Sequence, residues 1–245
     1  MSGHSKWANI KSKKGVKDKA RGTLFSKLSR VITLAVLEGG GIVDPENNIK
    51  LRLAVEKAKE GNMPKENIQR AIERGVGPNK DQIKEVIYEG FGPGGVALIL
   101  LTTTNNPKRT LTEIRNVMEC YGGKLGVQGS VNYLFKRCGL VVFEKNKVKE
   151  DDVFGFGDKI KAFDIEDDQQ LFSVYFPFEN LGHVNQYLGG IEARPAEIDY
   201  KPLNYITVND KGQANRVINL VVALEELDDV HKVFANFDIP EEFLK

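Results

Sequence analysis

The chain is poor in the residues that most often carry chemistry. Its 245 residues include two cysteines, three histidines and one tryptophan. Cys120 and Cys138 are too few to staple a fold of this size, so both are expected as free thiols in a reducing compartment. His4, His183 and His231 are scattered along the chain, and the cysteines lack a C-x-x-C spacing. No metal site and no cofactor is therefore expected. The sequence has no G-x-x-x-x-G-K-[ST] phosphate loop and no G-x-S-x-G nucleophile elbow. No catalytic residue and no small-molecule substrate is expected. No apolar run approaches the ~20 residues of a membrane span, so no part of the chain is expected to cross a membrane as a helix and no membrane is expected as a partner. The opening Met1-Ser2-Gly3-His4-Ser5-Lys6 leads into polar sequence without an apolar core, so a cleaved secretory signal is not expected and the location should be cytoplasmic. What the chain does have is 41% hydrophobic and 28% charged residues. That balance can bury real cores and excludes wholesale disorder.

The net charge of +1 hides an asymmetry. Residues 1–80 hold 17 basic and 8 acidic residues, a net of +9, which leaves −8 on residues 81–245. Within 1–30 there are nine basic residues and one acid, Asp18, a net of +8. A basic head on an acidic body points to a polyanionic partner for the head. A pure protein adaptor would have no use for that charge. The bland alternative is a solvated lysine-rich tail, but Trp7 and Ile10 interrupt the run and it continues into a helix.

Periodicity predicts one helix over 16–38, with Val16, Ala20, Leu24, Leu28, Val31, Ile32 and Ala35 on one stripe. Gly39-Gly40-Gly41 stops it. Asp44-Pro45 is expected to restart a helix that ends at Gly61, and Pro64 to open a third that ends at Gly75. These make a basic arm plus three-helix bundle over 1–76. The pattern then turns to strands. Val96 to Leu101 reads as a buried strand, and Asn106-Pro107 opens a helix with Leu111, Ile114, Val117 and Met118 inward. Val131 to Phe135 reads as a further strand. Residues 139–201 give β-α-β-β-α-β, the ferredoxin-like order, with its first helix weakened by Gly155 and Gly157. The tail adds a strand near 205–208, a helix over 213–226 and a strand near 230–237. A lone β-α-β tail needs a sheet to join. The fold class expected is thus α+β and multidomain: the bundle, a discontinuous α+β domain of residues 82–135 and 205–245, and residues 139–201 inserted in it as a ferredoxin-like domain.

The informative chemistry is basic. Lys11, Lys13 and Lys14 place ammonium groups close together on a short strip, where lysine neutralises phosphate as a point charge. Lys6, Lys17 and Arg21 extend the strip, and Arg109 at the start of the 107–120 helix is a further candidate for phosphate. Trp7 offers a flat face that either anchors the arm to the bundle or stacks on a base. These eight residues are the candidate nucleic-acid contacts. Arg109 and Arg115 also stand where they can simply balance Glu113 and Glu119. Gly90-Phe91-Gly92-Pro93-Gly94-Gly95 looks like a phosphate loop only superficially, since Pro93 removes a donor and a strand follows. Asp167-Asp168 and Asp228-Asp229 read as caps and solvated ends.

Met1-Ser2-Gly3-His4-Ser5-Lys6-Trp7-Ala8-Asn9-Ile10-Lys11 closely resembles the opening of the YebC/PmpR family. The similarity continues through Asn62-Met63-Pro64-Lys65-Glu66-Asn67-Ile68 and Tyr88-Glu89-Gly90-Phe91-Gly92-Pro93-Gly94-Gly95-Val96. Arg109-Thr110, Gly129-Ser130-Val131 and Asn236-Phe237-Asp238-Ile239 extend it over nearly the whole chain. The resemblance implies three domains in the order read above and a cytoplasmic regulator that binds nucleic acid. It implies either a transcriptional regulator on duplex DNA or a translation factor on the ribosome and its RNA, including members that relieve stalling. The chain departs from the family pattern at Ser12, where histidine is usual, and at Gly41-Ile42-Val43, which lengthen the first inter-helix loop. Neither a recognition-helix signature nor an RNP1-type aromatic motif is present.

Overall fold

A computed structural model describes residues 19–77 and 83–244. Helix α1 (Lys19–Glu38) packs against α2 (Ile49–Glu60) and α3 (Lys65–Val76). Leu28, Ile32, Ala35 and Val36 form the buried stripe of α1. Leu24, placed on that stripe by periodicity, is 42% exposed. The second helix begins four residues after the Asp44-Pro45 expected to open it. Asp44 closes a turn instead, accepting from the Glu46 N–H and from Asn47 Nδ2. The cap is Asn48, whose side chain accepts from the Leu51 N–H at 3.1 Å and donates to the carbonyls of Ala35 and Ile42. Gly75 lies inside α3 rather than after it. A Cβ there would come within 2.6 Å of Val36 Cβ, so this glycine sets how closely α1 and α3 approach.

Strands β1 (Lys84–Phe91) and β2 (Ala97–Thr104) form an antiparallel hairpin. The turn between them is a short 3-10 segment, Pro93–Gly95, in which Gly94 and Gly95 take φ of +74° and +77°. Only glycine adopts that backbone without strain. Every residue of β2 is buried. Helix α4 (Pro107–Cys120) follows, capped by Asn106, and a two-residue strand β3 (Lys124–Leu125) pairs with β1. The strand expected over Val131–Phe135 does not form. Asn132–Leu134 is a 3-10 turn, because the N–H groups of Val131 and Asn132 are taken by the Glu89 carboxylate and cannot enter a ladder. Strand β4 (Phe135–Glu144) starts there and runs on without a break into a different sheet.

That second sheet holds β4, helix α5 (Glu150–Ile160), β5 (Asp164–Asp167), β6 (Leu171–Pro177), a short helix α6 (Val184–Leu188) and β7 (Glu197–Pro202). Its strands run β5-β6-β4-β7, each pair antiparallel. Helix α5 is continuous across both of its glycines. Gly157 faces Ile165, and a Cβ on it would lie 2.8 Å from the isoleucine Cδ1, so the small residue admits the sheet. Glu150, Asp151 and Asp152 in the first turn favour the helix dipole.

The chain then returns through β8 (Ile206–Thr207), α7 (Lys211–Glu226), β9 (Val230–Ala235) and β10 (Phe237–Asp238). Strand β9 pairs antiparallel with β2, so the first sheet runs β3-β1-β2-β9, while β8 and β10 pair in parallel by themselves. Leu98 and Leu100 face α4 and α7 on one side of β2. Ala97, Ile99 and Leu101 face Val131, Phe135, Tyr200 and Phe234 on the other. Burial on both faces explains the unbroken apolar run of this strand. Among the described residues no helix is long and apolar enough to cross a membrane.

Candidate nucleic-acid interface

The basic strip enters the structure at the first residues of α1. Lys6, Trp7, Lys11, Lys13, Lys14 and Lys17 lie outside the described residues. Arg21 lies in the first turn of α1, and its side chain is outside the description as well. Arg109 is fully placed, in the first turn of α4.

Helix α1 docks on the end of α7 through its own cations. Lys27 Nζ reaches the Glu225 carbonyl at 2.5 Å, in the last turn of α7 where helix carbonyls lack partners. Arg30 Nη1 lies 2.6 Å from Asp229 Oδ1 and 3.2 Å from the Asp228 carbonyl. Asp229 is 2% exposed. Its Oδ2 accepts from Arg109 Nη2 at 2.7 Å, Thr110 Oγ1 at 2.7 Å and Thr104 Oγ1 at 3.0 Å. Its backbone carbonyl accepts the Thr103 N–H at 2.8 Å. Burial acts to raise the Asp229 pKa, but the Thr110, Arg109 and Thr104 donors outweigh it and hold the carboxyl below its ordinary value. The same contact raises the Arg109 pKa. Asp229 is thus no solvated strand end. It joins α1, α4 and β2 at one carboxylate, and the Arg109 guanidinium faces Asp229 and Glu113 rather than standing alone. Nothing in the local pattern of Asp228-Asp229 distinguishes the two; only the return of β9 beside β2 buries the second.

A second carboxylate was also unread in the sequence. Glu89 in β1 is buried and accepts three backbone N–H groups: Gly129 at 2.7 Å, Val131 at 2.7 Å and Asn132 at 2.9 Å. Its carbonyl accepts a fourth, from Gly126 at 2.8 Å. The loop from Gly126 to Asn132 is therefore strapped to one residue. Farther along, Lys232 Nζ lies 3.2 Å from Glu197 and 3.4 Å from Asp199, tying β9 to β7. Burial acts to lower the Lys232 pKa, yet these two carboxylates carry it above its usual value. Burial pushes the Cys138 thiol up to about 12 and the His231 imidazole down to about 4. No group of three or more His, Cys, Asp or Glu among the described residues is placed to hold a metal ion.

Comparison with known proteins matches two family models. Residues 5–78 match the TACO1/YebC protein N-terminal domain, and residues 83–237 match the TACO1/YebC second and third domain. A probable transcriptional regulatory protein of Aquifex aeolicus is 45% identical over 248 residues, covering 100% of this chain and 99% of its own. A protein of the same description from Halothermothrix orenii is 45% identical over 250 residues, covering 100% and 98%. The crystal structure of a conserved hypothetical protein from Aquifex aeolicus superposes with a TM-score of 0.85 at 44% identity, over 93% of this chain and 94% of that one.

Proposed function

The chain belongs to the TACO1/YebC family, and from that premise we propose that it is a nucleic-acid-binding regulator of gene expression, acting as a transcriptional regulator on DNA. The observation that carries this reading is the charge of +8 on residues 1–30 against −8 on residues 81–245. Lys6, Lys11, Lys13, Lys14 and Lys17 supply the phosphate contacts, and Trp7 rests on base or ribose. Helix α1 anchors the strip, because Lys27 and Arg30 hold it to the α7–β9 connection. The relatives' description as transcriptional regulatory proteins supports the DNA reading. The same basic strip also suits a second reading, a cytoplasmic translation factor on ribosomal RNA, because lysines neutralise the phosphates of either polymer.

Each phosphate neutralised on duplex DNA contributes about 0.9 to the slope of log K against log salt. Replacing Lys11, Lys13 and Lys14 by alanine flattens that slope by up to about 2.7. An unchanged slope and affinity would remove the strip from the binding surface. Sedimentation of a lysate through sucrose separates the polymers. Enrichment of DNA in crosslinked chromatin, without co-migration with ribosomes, supports the transcriptional reading, and the reverse pattern supports the second.

A further inference from the structure

We propose that the loop Gly126–Tyr133 is a second nucleic-acid contact, which stacks an unpaired base of a single strand on the Tyr133 ring while Lys124, Lys136 and Arg137 take the flanking phosphates. The inference rests on reading the chain as a nucleic-acid binder and extends it to a surface far along the chain from the basic strip.

The loop backbone is pinned to β1 and Val131 anchors it in the core, while Val127 and Tyr133 face outward. Four backbone N–H groups between Gly126 and Asn132 are held by Glu89. A Cβ on Gly126 would lie 2.3 Å from Ser130 Oγ and would force that side chain to move. Yet Val127 is 78% exposed and Tyr133 68%. Leu203, also exposed, donates its N–H to the carbonyl of Leu134, the residue that follows Tyr133. A fixed backbone that presents an aromatic face to water has already lost the entropy that binding would otherwise cost.

The cations along this stretch of chain suit an anionic partner; the carboxylates near them are Glu89, which is taken up by the loop N–H groups, and Glu85, which interacts with Arg137. No Asp or Glu occurs from Cys120 to Phe143, although the body as a whole is acidic. The cations of that stretch are Lys124, Lys136 and Arg137, all exposed. Lys124 sits on β3 beside Phe91, two residues before the loop. Lys136 and Arg137 open β4 and rest on the rings of Phe163 and Phe178, at 3.6 and 3.9 Å. Contact with a ring face orients the cation and leaves its N–H donors for an anion. Tyr133 is an exposed aromatic on a stretch of chain that carries three exposed cations. Of these, Lys136 and Arg137, successive on β4, project to opposite faces of the sheet. Aromatic rings combined with basic groups are what single-strand binders stack bases on, and every base has a π-face to offer. The interior bases of a duplex are covered on both faces by their neighbours and cannot reach such a ring without leaving the stack.

The test uses the full-length chain, fluorescein-labelled oligo-U and oligo-dT 12-mers, and a duplex DNA of equal length, read by anisotropy. Tyr133→Ala weakens single-strand binding by roughly five- to a hundredfold, the range of one lost base stack. Tyr133→Phe keeps the ring and stays within about twofold, and duplex affinity does not move. The double variant Lys136→Ala, Arg137→Ala lowers the single-strand salt slope by about 0.7 for each phosphate lost. Equal losses on both oligomers assign the shared single-strand chemistry, and a loss confined to oligo-U assigns RNA. Tyr133→Ala within twofold of wild type on both oligomers overturns the proposal. So does a loss of self-association on sedimentation in place of a loss of binding, which would make the surface a contact between two copies. If Lys11, Lys13 and Lys14 govern duplex binding while Tyr133 governs nothing, this proposal fails and the proposed function stands. If the wild type binds none of the three polymers, both fail.

Discussion

Asp229→Asn tests the junction most directly. The change is nearly isosteric but replaces one acceptor oxygen with an NH2 group and removes the charge that faces two guanidinium groups. In the native protein Arg30 and Arg109 each make a charge-assisted hydrogen bond to this carboxylate, at 2.6 and 2.7 Å. Such bonds contribute about 1.5–3 kcal/mol each. The arginine side chains are 33% and 45% exposed, so water screens them and the lower end applies. Thr110 can fall back on Thr104 Oγ1 and the Asn106 carbonyl, and its hydroxyl adds little to the loss. The expected cost is about 3 kcal/mol, at the bottom of the range for breaking a buried ion pair. Urea unfolding followed by far-UV circular dichroism measures it, and Arg109→Met introduced on top of Asp229→Asn should cost much less than Arg109→Met alone. The pH dependence gives a second reading. Because the folded-state pKa of Asp229 is depressed, its contribution is fully present above the unfolded value near 4 and fades as pH falls through the folded value. The gap between wild type and variant should therefore start to narrow as pH falls below about 4 and close only once the folded-state carboxyl is protonated. A cost under about 1 kcal/mol, or a gap that persists unchanged into acid, would refute the assignment of Asp229 as a charged hub.

Other consequences are equally accessible. Cys120 is exposed while burial holds the Cys138 thiol near 12, so a thiol reagent at pH 8 should label one cysteine in the native protein and both only after unfolding. His231 has its folded pKa lowered to about 4 by burial, with Lys232 and Lys27 adding to the shift, so the neutral ring favours the folded state. That stability is present above pH 6.5 and is lost between there and about 4; partial exposure of the residue reduces the loss to about 1–2 kcal/mol, and His231→Asn should show a flatter profile over that window. Gly139→Ala should destabilise by about 1–3 kcal/mol in chemical unfolding, because its Cβ would meet the buried Phe176 ring at 2.2 Å; a neutral effect would mean the ring yields freely.

Most elements were legible because local patterning and tertiary burial agree. The α4 helix announces itself by Asn106-Pro107 and by Ile114 and Met118, which are fully buried. The buried β2 run and the strand-helix-strand order of the tail read equally well. The failures share a cause. Val131 to Phe135 has strand composition, but a side chain about forty residues away in sequence captures its N–H groups. Asp44 makes a good helix cap, and Asn48 a better one, because its amide also reaches the Ala35 carbonyl across the loop. Asp229 and Glu89 look like ordinary acids. Each is defined by donors from distant segments, and no window of neighbouring residues contains that information. The phosphate-contact candidates sit mostly before the first described residue, so their reading rests on charge alone.

The pairing of β9 with β2 sets a timetable for synthesis. Leu98 pairs with Ala235 and Thr102 with Val230, so β2 finds its last neighbour only when the chain is nearly finished. At roughly 5–20 residues per second, about 130 intervening residues take on the order of ten seconds to appear. During that interval a strand that is apolar on both faces has one edge unpaired. The β4-to-β7 sheet can close in the meantime, since all of its strands lie within the intervening segment. Nascent chains of this protein should therefore be most prone to aggregate, and most dependent on chaperones, in the window between emergence of β2 and emergence of β9.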